Sequence, residues 1–151
     1  MLRMHKMLAT SFGIGYIGKG GGTVAAAAAA LCWYLMLAEG QAGYGALIFT
    51  VAVTMVGVWS GNVVEPYWGK DDKKVVIDEV AGMCVSLLFL PVTIKYVLAG
   101  LVLFRFFDIR KPLLIRRTEQ LPGGWGVMMD DVIAGIYANL ILQVVLYFKL
   151  L

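Results

Sequence analysis

Two acidic couples, Asp78-Glu79 and Asp130-Asp131, stand where polar stretches give way to apolar ones, VVIDEVAGMCVSLLFLP and GVMMDDVIAGIYANLILQ. An ionised carboxylate beside hydrocarbon is costly unless a partner compensates it. Four carboxylates at the edge of one small apolar protein point to a divalent cation. Hard oxygen ligands favour Mg²⁺, which readily shares its shell with phosphate and water. Basic residues close by in the sequence supply the matching half, a phosphate group. The pattern predicts lipid-phosphate chemistry at a membrane surface.

Other residues extend the pattern. Glu65, in GNVVEPYW, ends an apolar run that Pro66 is expected to stop, and its boundary position allows it to join the acidic site. Asp108 lies between aromatics and basics in FRFFDIRKP, where Arg105, Arg110 and Lys111 offer phosphate contacts. Arginine recognises phosphate through a planar fork and lysine as a point charge. GKGGGT, ending at Thr23, precedes a helical run. Its glycines would let backbone N–H groups approach a phosphate at a helix N-terminus, although a flexible connector explains it equally well.

Each feature has a plainer reading. A helix starting near Asp72 would put Asp78-Glu79 about two turns in, where one carboxylate could face a site while the other bonds a lysine or water; the plainer reading is a solvated face salt-bridged to Lys70 or Lys74. Asp130 or Asp131 alone is explained as a helix cap. Asp108 suits a salt bridge to Arg105 or Arg110, and the basic residues suit membrane anchoring. His5, the sole histidine, reads as a surface residue, and Cys32 and Cys84 as buried small hydrophobes. With neither an arginine six residues after a cysteine, nor an Asp-x-Asp, nor a histidine pair, metal-assisted attack by water remains.

The elements that must position these residues are helical and apolar. Hydrophobic residues make up 60% of the 151 and charged ones 15%, against roughly 45–50% and about 25% in soluble domains. The sequence therefore predicts an all-α integral membrane helical bundle, one domain over 1–151, with no signal peptide evident and no fit to nucleic acid. A short amphipathic helix is expected over 1–12. Three to four apolar segments follow, at about 23–38, 44–64, 80–104 and 132–148. The loop 39–43 carries no Lys or Arg, which puts it outside if the amino terminus is cytoplasmic. A full span over 80–104 would then strand the basic run 105–117 outside and separate the acidic couples. Pro91 and Lys95 instead predict a re-entrant or broken helix pair that returns both couples to the cytoplasmic face. No longer period repeats along the chain.

KDDKKVVIDEVAG, FRFFDIRKP and GGWGVMMDDVIAGIYA, in this order and spacing, closely resemble the phosphatidylglycerophosphatase A family, over about residues 12–140. The resemblance implies Mg²⁺-dependent removal of the terminal phosphate of phosphatidylglycerophosphate in the bacterial cytoplasmic membrane. By position it implies Asp78, Glu79, Asp108, Asp130 and Asp131 as acidic site residues, with Glu65 added. Lys70, Arg105, Lys111, Gly22 and Thr23 match its polar and basic positions. The chain departs from the family at GGTVAA, where the family reads near PGTxGS. The expected site gathers Asp78, Glu79, Asp130, Asp131 and Glu65 around Mg²⁺, with Lys70, Arg105 and Lys111 on the phosphate and Asp108 as general base or acid. A transporter with carboxylates at membrane depth and a purely structural membrane subunit are the other classes in view.

Overall fold

A computed structural model describes residues 1–37, 43–70, 72–112, 114–118 and 120–151. Seven helices account for most of these residues, with no strand among them: α1 (Leu2–Ala9), α2 (Gly21–Leu37), α3 (Tyr44–Trp68), α4 (Ile77–Leu87), α5 (Ile94–Arg110), α6 (Ile115–Thr118) and α7 (Gly124–Tyr147). A 3₁₀ turn, Ile14–Ile17, precedes α2. The all-α expectation holds. Most of the loop 39–43 lies outside the described residues.

The 80–104 segment is a broken pair. α4 stops at Leu87, and six residues that include Pro91 intervene before α5. α5 returns antiparallel, since Gly82 packs on Phe104 and Leu87 packs on Gly100. α7 runs beside α4 in the same direction: Gly135 packs on Gly82 and Val85, and Asn139 bonds the carbonyls of Ser86 and Leu88. α3 runs against α7, with Gly57 at Met128 and Gly61 at Gly124. The starts of α2, α4 and α7 and the ends of α3 and α5 therefore share one end of the bundle.

Several boundaries differ from the expectations. α4 begins at Ile77 rather than near Asp72, because the Asp72 side chain accepts the Lys74 N–H at 2.9 Å and turns the chain. Asp78 and Glu79 thus fall in its first turn. α7 begins upstream of the acidic couple. Asn62 of α3 accepts the Gly124 N–H at 2.8 Å and starts the helix there, which leaves no capping role for Asp130 or Asp131. Pro66 does not stop α3, which runs on to Trp68; so near the helix end its missing N–H forfeits a single bond.

α1 packs on α3 through its buried face, His5 and Ala9. His5 is therefore no surface residue: its ring meets Trp59 edge-on, centroids 4.4 Å apart. Cys84 is buried, as expected, whereas Cys32 is exposed. The core joins Trp33, Met83, Leu87, Phe104 and Ala134 from four helices. The outer faces are apolar too. Ile94, Leu98, Val102, Phe106 and Ile109 form an exposed stripe on α5, and Ile48, Val51, Met55 and Trp59 do so on α3. α3 and α7 are long and apolar enough to cross a bilayer; α2 is shorter.

Candidate active site and metal centre

The common end of the bundle holds an acidic cluster. Asp78 and Glu79 come from the first turn of α4 and Asp131 from the second turn of α7. One carboxylate oxygen from each lies within 4.8 Å of the others. Asp78 and Asp131 are 8% and 3% exposed, burial that isolated acids do not tolerate without compensation. Local sequence explains the convergence. Each aspartate stands four residues before a glycine, Gly82 or Gly135, and these glycines let α4 and α7 approach backbone to backbone.

The electrostatics favour a cation. Asp78 Oδ1, Glu79 Oε2 and Asp131 Oδ2 are buried with no hydrogen-bond partner among the described residues. Burial pushes the Asp78 carboxyl well above the usual carboxylate range, and the charges of Glu79 and Asp131 push it further. Burial also raises Glu79, opposed by its hydrogen bond with Asp78 and by Arg105, while the charge of Asp108 adds to the rise. Hard oxygen donors, close together and each with one oxygen left without a protein partner, are a donor set that Mg²⁺ or Mn²⁺ takes.

Cationic groups ring the cluster. Arg105 from the last turns of α5 pairs with Asp108 one turn on, and its Nη1 lies 3.8 Å from Glu79 Oε1. Asp108 also faces Asp131. Lys111 Nζ donates to Asp130 Oδ2 at 2.7 Å. Lys111 caps α5 with φ at 43°, a left-handed conformation that usually favours glycine. Gly22 completes the wall: a Cβ there would collide with the Glu79 carboxylate, so that carboxylate lies directly on the first turn of α2.

The predicted residues separate into groups. Asp78, Glu79, Asp131, Asp108, Arg105 and Gly22 come together. Asp130 turns to Lys111 and lies outside the tight cluster. Glu65 sits near the start of α7, where a Cβ on Gly123 would lie 3.4 Å from its Oε2. Thr23 is exposed in the first turn of α2. Lys70 lines a neighbouring open groove of about 530 Å³ with Trp68, Lys73 and Lys74. Arg110 stacks near the Phe106 ring. Asn62 and Asn139 escaped the sequence reading. Their signal is a lone amide inside an apolar run, in SGNVVE and YANLIL. Also overlooked was a short repeat, Asp-x-(Val/Ile)-Ala-Gly, at Asp78–Gly82 and Asp131–Gly135.

The family model for phosphatidylglycerophosphatase A matches residues 7–146. A Bacteroides thetaiotaomicron protein named putative phosphatidylinositol-3-phosphatase is 39% identical over 91% of each chain. Phosphatidylglycerophosphatase A of Haemophilus influenzae is 34% identical over 99% of this chain and 93% of its own. That of Escherichia coli is 35% identical over 86% and 76%. No solved structure matches.

Proposed function

The chain belongs to the phosphatidylglycerophosphatase A family, and from that premise we propose that it hydrolyses the terminal phosphomonoester of phosphatidylglycerophosphate with the aid of Mg²⁺. The observation that carries the metal is the convergence of the carboxylates of Asp78, Glu79 and Asp131, each of which also has one buried oxygen without a hydrogen-bond partner. A divalent cation held there supplies Lewis-acid stabilisation of the charge that develops on the phosphoryl oxygens.

The chain's own groups do the rest. Arg105, Lys111 and the backbone N–H groups opening α2 at Gly22 orient the phosphomonoester. Asp108, poised between Arg105 and Asp131, accepts a proton as water attacks phosphorus and the ester P–O bond breaks. It returns that proton to the departing glycerol oxygen. Asp130 holds Lys111 toward the site. Phosphatidylglycerol and inorganic phosphate are the products.

The reaction takes place at a membrane within a single domain. Only 39% of the apolar window of α3 and 33% of that of α7 is buried, whereas a soluble core helix is mostly covered. The exposed apolar faces of α3, α5 and α7 suit lipid. The eleven residues of α4 rise about 16 Å, near half a hydrocarbon core. α4 and α5 thus form a broken pair that goes in and comes back, which supports both acidic couples lying on one face. Lys19, Lys70, Lys73, Lys74 and the basic run from Arg105 to Arg117 belong to the site end, against Lys95 and Lys149 at the other. That bias supports a site on the cytoplasmic face of a bacterial inner membrane.

A second substrate has support of its own. The Bacteroides relative carries the name of an inositol-lipid phosphatase, so a phosphatidylinositol monophosphate is the alternative headgroup on the same machinery. The test is phosphate release by purified protein in detergent, with and without Mg²⁺. The substrates are phosphatidylglycerophosphate, phosphatidylinositol 3-phosphate and phosphatidic acid. Mg²⁺-dependent release that favours the first supports the main reading; preference for the second reassigns the headgroup. Release unaffected by chelation removes the metal, and no release from any of them removes the phosphatase.

A further inference from the structure

Asp78 pairs with Asp131 and Gly82 with Gly135, and Ser86 lies opposite Asn139 at the same separation of 53 residues. α4 and α7 are therefore parallel and in register, with rungs one turn, about 6 Å, apart. The third rung is a hydrogen-bonded one. Asn139 Nδ2 donates to the Ser86 carbonyl at 3.1 Å and to the Leu88 carbonyl at 2.8 Å. Gln143, one turn on, reaches Leu88 at 3.3 Å.

These carbonyls need partners. α4 ends at Leu87 with its last carbonyls outside the helical ladder. The chain that follows is irregular yet buried at Leu88, Leu90 and Val92, and Phe89 adopts φ of 57°. Irregular backbone away from water survives only where protein groups satisfy it. Leu, Ile or Val, the common residues of α7, have no donor to offer. Both contacts to Asn139 are carbonyl acceptors, so its NH₂ must point at them.

We propose that Asn139 is a positioning residue for the acidic centre. By clamping the broken end of α4 to α7 it fixes how far α4 slides along its neighbour. A slip of one residue rise, about 1.5 Å, would open a cluster whose oxygens lie within 4.8 Å. Asn139 thus controls the fit of the cation from two turns away without touching it. This inference rests on the metal reading above.

The test compares Asn139→Leu, which is near-isosteric and lacks the donor, with Asn139→Gln, which keeps it. Mn²⁺ binding to the purified protein in detergent is followed by electron paramagnetic resonance. Helicity by circular dichroism, kcat and the KM for lipid are measured alongside. Outer groups that orient metal ligands typically change affinity or activity by about 10–100-fold. Asn139→Leu should keep its helicity and lipid KM, bind Mn²⁺ about tenfold more weakly and lose kcat by a similar factor. Asn139→Gln should recover most of both. Wild-type Mn²⁺ affinity and kcat in the leucine variant would overturn the proposal. If the leucine variant does not fold, Asn139→Ser, too short to reach Leu88, decides on the same criteria. Absence of Mn²⁺ binding by the wild-type protein would instead sink the metal reading, and the kcat loss with glutamine rescue would still decide the role of Asn139.

Discussion

Gly82 and Gly135 meet where α4 crosses α7, so closely that a Cβ on Gly135 would collide with the Gly82 carbonyl oxygen. The same carbonyl-level contact sets the distance between the aspartates one turn earlier. Gly135→Ala should therefore destabilise the fold by about 1–3 kcal/mol through overpacking and lower phosphate release as well. Gly45→Ala, in open space on α3, is the control and should be neutral or stabilising. Thermal unfolding in detergent checks both. Equal behaviour of the two variants would mean the crossing is loose.

Much of this arrangement was readable in the chain. Apolar runs located α2, α3 and α7, and Pro91 located the break between α4 and α5, because helix length and proline chemistry are local properties. The acidic couples were visible because charge beside apolar sequence is costly wherever it folds. Their division was not. Asp130 and Asp131 are neighbours about 100° apart on one helix, and only tertiary packing decides that Asp131 joins Asp78 while Asp130 takes Lys111. Helix starts were misjudged where the deciding partner was remote or side-chain-borne: Asn62 caps α7 from sixty-two residues away, and Asp72 turns the chain that would otherwise have begun α4.

Asp78→Asn and Asp131→Asn each remove a buried charge and keep the shape. Without divalent cation, each variant should melt no lower than the wild type, since like charges at the cluster are relieved. Phosphate release should fall by a hundredfold or more, the scale for removing one preorganised electrostatic group. Melting curves in chelator beside a turnover assay separate the two effects; undiminished turnover in both variants would falsify the carboxylate site.

The raised carboxyls of Asp78 and Glu79 give the metal-free protein a defined pH dependence. Their folded-state pKa values exceed the unfolded ones near 4. The folded state thus binds more protons than the unfolded state above that range, and stability falls as pH rises through the folded values. In chelator, the melting temperature should be higher at pH 5 than at pH 8. Mg²⁺ should narrow that gap by stabilising most at pH 8, where the carboxylates are ionised. A melting temperature in chelator that climbs with pH would contradict the desolvated cluster.

Lys111 and Asp130 form the charged pair beside the cluster, 2.7 Å apart, with the lysine side chain 25% exposed and the aspartate 6%. Lys111→Met takes that cation from a buried carboxylate and should cost about 3 kcal/mol, the lower end for breaking a buried pair because the lysine is partly solvated. Asp130→Asn in the same chain should restore most of the loss, since no buried charge is then left without its cation. Turnover should not return with stability, because the phosphate still lacks Lys111. A double-mutant cycle in melting temperature, with phosphate release on all four proteins, measures both quantities. Additive stability losses would mean that the two residues are uncoupled, and recovered turnover in the double variant would remove Lys111 from phosphate binding.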